Sequence, residues 1–265
     1  MFLTRLLTAA VLLAAFIAAL YWLDYRLFAL LISIVIGLGG YEWARLGKVR
    51  PALAAIYGAA CAGVCAALSL LPGFTPWVCG FAGLFWILVA PAWMARGFPA
   101  PPAAAMAAIG LVVLVPAGLA TIALPRESLL MVLGLTWVAD TGAYLAGRAF
   151  GKRKLAPAIS PGKTWEGVAG GAIGCVIYAI IWALFVPELQ ARVQGAIWIL
   201  FLAGTMLLFA LSVVGDLFES AAKRRAGVKD SGTLLPGHGG ILDRVDSATA
   251  VLPVALPLLL AMGLT

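Results

Sequence analysis

Charge is scarce in this sequence. Only 11% of its 265 residues are Asp, Glu, Lys or Arg, and there is a single histidine, whereas about a quarter of residues are charged in soluble domains. A soluble globular fold is thereby excluded, because too few ionisable groups exist to cover its surface. The four cysteines, Cys61, Cys65, Cys79 and Cys175, lie in apolar runs with no CxxC pair and none near the histidine. That spacing favours neither a zinc site nor a disulfide framework and leaves packing as their role. Internal repeats and low-complexity segments are also missing.

What is abundant is apolar sequence, at 64% hydrophobic residues. At roughly 20 mostly apolar residues per crossing, the chain holds about nine transmembrane helices and little else. The expected fold is therefore an all-α polytopic membrane protein with one integral domain, 1–265, generic in its spans to 128 and polar-rich from 129 onward. The basic start, Met1 to Arg5, followed by an apolar run to Leu23 resembles a secretory signal. The run is long enough to span and is read as a retained first helix. Further spans are expected at about 27–43, 52–71, 77–94, 103–124, 129–145, 165–185, 196–220 and 247–264. Ser128 is placed to cap the sixth, and Pro253 and Pro257 to kink the ninth. Gly167, Gly170, Gly171 and Gly174 form overlapping GxxxG pairs that would let a neighbouring helix come close. The stretch 147–163 is basic and rich in Pro and Gly, and reads as a polar connecting loop.

The net charge of +7 could point to nucleic acid, anionic lipid or orientation in the membrane, and placement decides among them. In the nine-span scheme fifteen of the eighteen bases fall on the side of the amino terminus, and only Arg26, Arg126 and Arg192 fall opposite. This asymmetry puts the amino terminus and both long polar loops in the cytoplasm. No nucleic-acid partner is expected.

Ionisable residues concentrate between Asp216 and Ser247, which hold five of the eleven acids, five of the eighteen bases and His238. Charges beside a bilayer are expensive and tend to be functional. Asp216, Glu219, Ser220 and Lys223 share one helix face by spacing, while Asp243 and Asp246 lie three apart at the start of the next helix. Carboxylates on two helix ends make an oxygen cage for magnesium, or else Asp243 or Asp246 caps its helix and Asp216 pairs with a lysine. Lys223, Arg224, Arg225 and Lys229 read either as a headgroup-binding cluster or, with the glycines around His238, as part of an anion site. His238 could donate to a phosphate or bond to backbone. Asp140, an acid within a span, is a functional candidate or a buried partner of Lys163 or Arg148. Ser160 and Lys163 sit on the same side, in the proline-stiffened loop.

The run Ser220-x-x-Lys223-Arg224-x4-Lys229-Asp230-x-Gly232-x-x-Leu235-Pro236-x-His238-Gly239-Gly240-Ile241-x-Asp243-Arg244-Val245-Asp246 resembles the signature of phosphatidate cytidylyltransferases. Asp140-x-x-Ala143-Tyr144 and the segment from Leu155 to Gly167 resemble that family's other recurrent stretch, so the likeness covers about 131–250. Ala222 departs from the pattern where a larger apolar residue is usual, a difference of packing.

The resemblance implies a magnesium-dependent, polytopic, dimeric enzyme, expected in the cell inner (cytoplasmic) membrane. It would transfer a cytidylyl group from CTP to phosphatidic acid among the membrane lipids, forming CDP-diacylglycerol and pyrophosphate. It further implies that Asp216, Asp243 and Asp246 bind metal and that Lys223 and Arg244 are bases of the polar pocket. Two rivals are a CTP-dependent polyprenol kinase and an anion transporter. A transporter should show inverted repeats with broken helices in both halves, whereas polar residues here crowd one half.

Overall fold

The structure, a computed structural model, describes residues 2–235 and 239–264. Each helix begins and ends where side-chain chemistry allows. After α1 (Phe2–Trp22), Asp24 accepts the Arg26 and Leu27 N–H groups at 2.8 and 3.0 Å and so starts α2 (Tyr25–Leu46). Prolines open α3 (Pro51–Ser69) and the broken span Pro72–Ala95, which consists of a 3-10 turn over Pro72–Phe74, α4 (Thr75–Leu84), a π-helical turn over Phe85–Val89 and α5 (Ala90–Ala95). Proline suits a first turn because its missing N–H would have no helical partner there. Next come α6 (Ala103–Ala123), α7 (Arg126–Phe150), α8 (Trp165–Phe185), the short α9 (Pro187–Arg192), α10 (Ile197–Ala226) and α11 (Leu242–Ala261). Eight of these segments are long and apolar enough to cross a membrane, and α1 adds a shorter apolar stretch over Ala10–Trp22.

Several boundaries differ from the sequence expectation. The sixth span starts at Arg126 behind Pro125, and Ser128 lies inside the helix, where its hydroxyl donates to the Leu264 carbonyl at 3.1 Å instead of capping. The last helix starts at Leu242, so Asp243 and Asp246 occupy its first two turns, and it runs as one helix through Pro253 and Pro257. The loop after α7 is not structureless. Lys154–Ala156 (β1) pairs antiparallel with Ser160–Thr164 (β2). Glu166 ties this hairpin down by accepting the Lys152 and Arg153 N–H groups at 3.0 and 3.2 Å, and Thr164 caps α8 by accepting the Gly167 N–H at 3.1 Å.

The glycines of α8 face α7. A Cβ at Gly167 would stand 2.8 Å from the Ala143 carbonyl, and one at Gly171 would stand 2.9 Å from that of Ala139. Backbone contact of this kind is how small residues join helices in lipid, where no hydrophobic force drives association. α10 has 30 residues and a length of about 45 Å, more than the hydrocarbon thickness of roughly 30 Å. Its last turns therefore project past the apolar layer, and they carry the charges. It stops at Gly227, whose φ of +80° suits glycine. The centre of the core is Phe218 on α10, 1% exposed and ringed by Trp43, Phe85, Trp86, Trp93 and Phe98 at centroid distances of 5.2 to 6.0 Å. These rings come from α2, the π-turn, α5 and the loop behind it. They fix the helix one residue before Glu219 and two after Asp216.

Candidate active site

Three chain segments meet here: the end of α10, the start of α11 and the β2 strand, which Lys163 joins to Asp216. α10 and α11 approach closely, since a Cβ at Gly215 would stand 2.6 Å from the Asp246 carbonyl. This brings the acids of both helices to one level.

Lys223 bridges them. Its ammonium donates to Glu219 Oε2 at 2.7 Å and to Asp243 Oδ1 at 2.5 Å, with all three side chains between 6% and 12% exposed. The other Asp243 oxygen accepts the Ser231 N–H at 2.8 Å, the Ser231 hydroxyl at 2.9 Å and the Gly240 N–H at 2.8 Å. Both oxygens of Asp243 are thus engaged by charge-assisted bonds, roughly twice as strong as neutral ones.

A second pair lies nearer the surface, where Lys163 from β2 contacts Asp216 with exposures of 25% and 28%. The second Asp216 oxygen accepts the Ser220 hydroxyl at 3.3 Å. Asp246 accepts its neighbour's N–H, from Ser247, at 2.8 Å and lies within the electrostatic reach of Asp216, Glu219 and Asp140.

Two cavities flank these acids. One, of about 470 Å³, is lined by Asp140, Tyr144, Arg148, Ser160, Lys163 and Asp216, among others. The other, also about 470 Å³, is a largely apolar groove with Leu12, Phe16, Ile36 and Trp137 along it, and Arg244, Asp246 and Asp140 at its polar end. Asp140 lines both.

The structure therefore places Asp140, Ser160, Lys163, Asp216, Arg244 and Asp246 along two adjoining spaces, whereas Ser220, bonded to Asp216, and the Lys223–Asp243 pair line neither. Arg224 is used differently: its guanidinium donates to the carbonyls of Ile159 and Val228, each at 3.3 Å, and so ties the hairpin to α10. Lys229 is exposed beyond the helix end and lines neither cavity. His238 lies outside the described residues.

Among the described residues no three His, Cys, Asp or Glu groups are arranged as one metal-ligand set. The chemistry of the site nevertheless suits a hard cation. Five carboxylates, Asp140, Asp216, Glu219, Asp243 and Asp246, gather around two directly paired ammonium groups, those of Lys163 and Lys223. One buried Glu219 oxygen has no partner. Oxygen donors with surplus negative charge are what Mg²⁺ takes, together with waters and substrate phosphate.

Sequence reasoning missed two participants. Glu42 of α2, 1% exposed, accepts the Ile241 and Leu242 N–H groups at 3.0 and 2.9 Å and the Ser231 hydroxyl at 3.0 Å. Ser231 thereby touches both Glu42 and Asp243. An acid inside an otherwise apolar span was the available signal for Glu42.

The chain matches the family model described as "Cytidylyltransferase family" over residues 3–262, well beyond the stretch 131–250 that carries the motifs. It is 39% identical over 270 residues to a phosphatidate cytidylyltransferase of Pseudomonas aeruginosa, with 98% of this chain and 97% of that protein covered. It is 52% identical over 125 residues to the protein of that name from Haemophilus influenzae, covering 47% and 43% of the two chains. For the Thermotoga maritima protein the figures are 46% over 126 residues, with 48% and 46% covered.

Proposed function

Because the chain belongs to the cytidylyltransferase family, we propose that it transfers a cytidylyl group from CTP to phosphatidic acid, giving CDP-diacylglycerol and pyrophosphate. The observation that carries this reading is the pair of adjoining cavities sharing Asp140, one lined by the charged Arg148, Lys163 and Asp216, the other more apolar with Arg244 and Asp246 in its lining. One space suits a water-soluble nucleotide, and the other suits a lipid that keeps its acyl chains in the bilayer.

In the reaction an oxygen of the lipid phosphate attacks the α-phosphorus of CTP. A new P–O bond forms there as the bond to the β-phosphate oxygen breaks, and pyrophosphate leaves with the electron pair. A phosphate monoester is already largely ionised at neutral pH, so the protein needs no strong base. Its task is to hold two anions together and to stabilise charge on the leaving group. Lys163 and Arg244 do this as cations, with Ser160 as a hydroxyl donor at the cavity wall, while Lys223 and Ser220 hold the acids beside them. Magnesium would be held by Asp216, Asp243 and Asp246, and when bound it would offset phosphate charge and stabilise the departing pyrophosphate.

The hairpin 154–164 forms part of the nucleotide wall, and Arg224 holds it against α10. The protein works as a homodimer in the bacterial inner membrane. Its amino terminus and polar loops lie in the cytoplasm, a reading supported by the excess of bases on that side.

The test is incubation of purified protein with phosphatidic acid and CTP labelled at either the α- or the γ-phosphate. The expected result is α-label in the lipid product and γ-label in pyrophosphate. γ-Label in the lipid would identify a kinase, and no labelled lipid at all would end the transferase reading.

A further inference from the structure

α11 has no capping side chain of its own; Ile241 occupies the position before its first turn. The first N–H groups of a helix lack partners within it, and here two of them are supplied from 200 residues away. Glu42 Oε1 accepts from Ile241 and Oε2 from Leu242, so a carboxylate meets the positive end of the helix dipole. The seat is closed around it. A Cβ at Gly232 would stand 2.6 Å from Glu42 Oε1, and one at Gly240 would fall on both Glu42 oxygens and on the Ser231 hydroxyl. Glu42 itself cannot swing away, because the next residue, Trp43, stacks on Phe218 at 6.0 Å with 7° between the rings and donates its indole N–H to the Met106 carbonyl at 2.8 Å.

The seat connects directly to the acids of the active site. The Ser231 hydroxyl stands 3.0 Å from Glu42 Oε2 and 2.9 Å from Asp243 Oδ2. A serine hydroxyl has one proton to donate, so the two carboxylates share a single donor. Gly240, the other N–H donor to Asp243 beside that of Ser231, belongs to the same turn that Glu42 anchors.

We propose that Glu42 is a positioning residue for the reaction: through Ser231 and the backbone of residues 240–242 it sets the orientation of the Asp243 carboxylate against Lys223. The proposal rests on the cytidylyl-transfer reading above. It makes an N-terminal helix a working part of the active centre.

The experiment uses the full-length protein in lipid nanodiscs with CTP and phosphatidic acid, and kcat is expressed per folded molecule. A glutamine side chain offers one acceptor oxygen where glutamate offers two. Glu42→Gln should therefore lower kcat by at least about tenfold, the equivalent of one charged hydrogen bond, with KM for both substrates within about twofold. Glu42→Asp should recover part of the loss. Ser231→Ala leaves Glu42 its two backbone donors and should also lower kcat without moving KM. The double variant should be no worse than the poorer single one, because both act on Asp243 through one path.

Wild-type kcat in both single variants, with only a lower unfolding temperature, would reduce Glu42 to a structural cap and overturn the proposal, as would two losses that multiply in the double variant. Should Glu42→Gln fail to fold, Glu42→Asp, which keeps the charge, decides by the same kcat and KM criterion. A wild-type protein that makes no CDP-diacylglycerol would overturn the reaction assigned to the site, a failure visible before any variant is measured.

Discussion

The two lysine–carboxylate pairs of the site are chemically alike and physically different. Lys163 and Asp216 meet at the wall of a cavity, each about a quarter exposed, whereas Lys223, Glu219 and Asp243 are between 6% and 12% exposed and are packed beside Phe218. A charge pair open to water can exchange its partner for a ligand at small cost. A buried pair cannot, since removing one member strands the other without solvent. The outer pair is therefore the one that a ligand can displace, while the inner one stays in place and holds the acids in register.

The largest expected effect comes from Asp243, where the inner pair, Ser231 and Gly240 converge. Asp243→Asn should cut turnover by at least about two orders of magnitude, because the carboxylate that binds Lys223, and that is proposed to hold magnesium, is lost. Near-normal turnover of the folded variant at saturating magnesium would remove Asp243 from the set of metal ligands. Lys223→Ala comes next. It leaves two buried carboxylates unpaired and should cost about 3–5 kcal/mol of stability, read from denaturant unfolding in micelles.

Lys163→Ala should cost stability only about 1 kcal/mol or less, yet together with Ser160→Ala it should raise the apparent KM for CTP by about tenfold or more, as expected for lost charged hydrogen bonds. Equal unfolding losses at Lys163 and Lys223 would erase the distinction between the pairs. Unchanged kinetics for both substrates in the Ser160 and Lys163 double variant would make the hairpin a mere connector. Smallest is the control. Lys48→Ala, in a turn away from both cavities, should leave turnover unchanged while Arg244→Ala impairs it, and equal small losses in both would return Arg244 to an orientation signal.

Much of this arrangement is legible in the sequence, for reasons of spacing. Asp216, Glu219, Ser220 and Lys223 must share a helix face, and the contacts Ser220 to Asp216 and Lys223 to Glu219 are the i,i+4 pairs this predicts. The glycine run likewise announces a close neighbour for α8, though not that the neighbour is α7. What could not be read is which residue far away completes a local set. Asp243 and Asp246 carry no mark that distinguishes a metal ligand from a lysine partner, and the contact of Lys223 with Asp243 spans 20 positions, across the connection 227–241 between two helices. Glu42 required a fold, because its partners lie 189 to 200 residues away. The hairpin escaped for the opposite reason. Its strands have three and five residues and include Pro161 and Gly162, which break the alternation that marks a strand.

The bond from Glu42 to Leu242 also imposes an order in time. At about 5–20 residues per second of synthesis, α2 is complete roughly 10–40 s before α11 leaves the ribosome. Throughout that interval Glu42 waits in the membrane without the turn it caps, and the chain has no active centre. The carboxyl-terminal half made alone would contain nearly every recognisable motif and still lack the acceptor that fixes its last helix. Supplying α1 to α6 as a separate polypeptide is a complementation that this junction should allow.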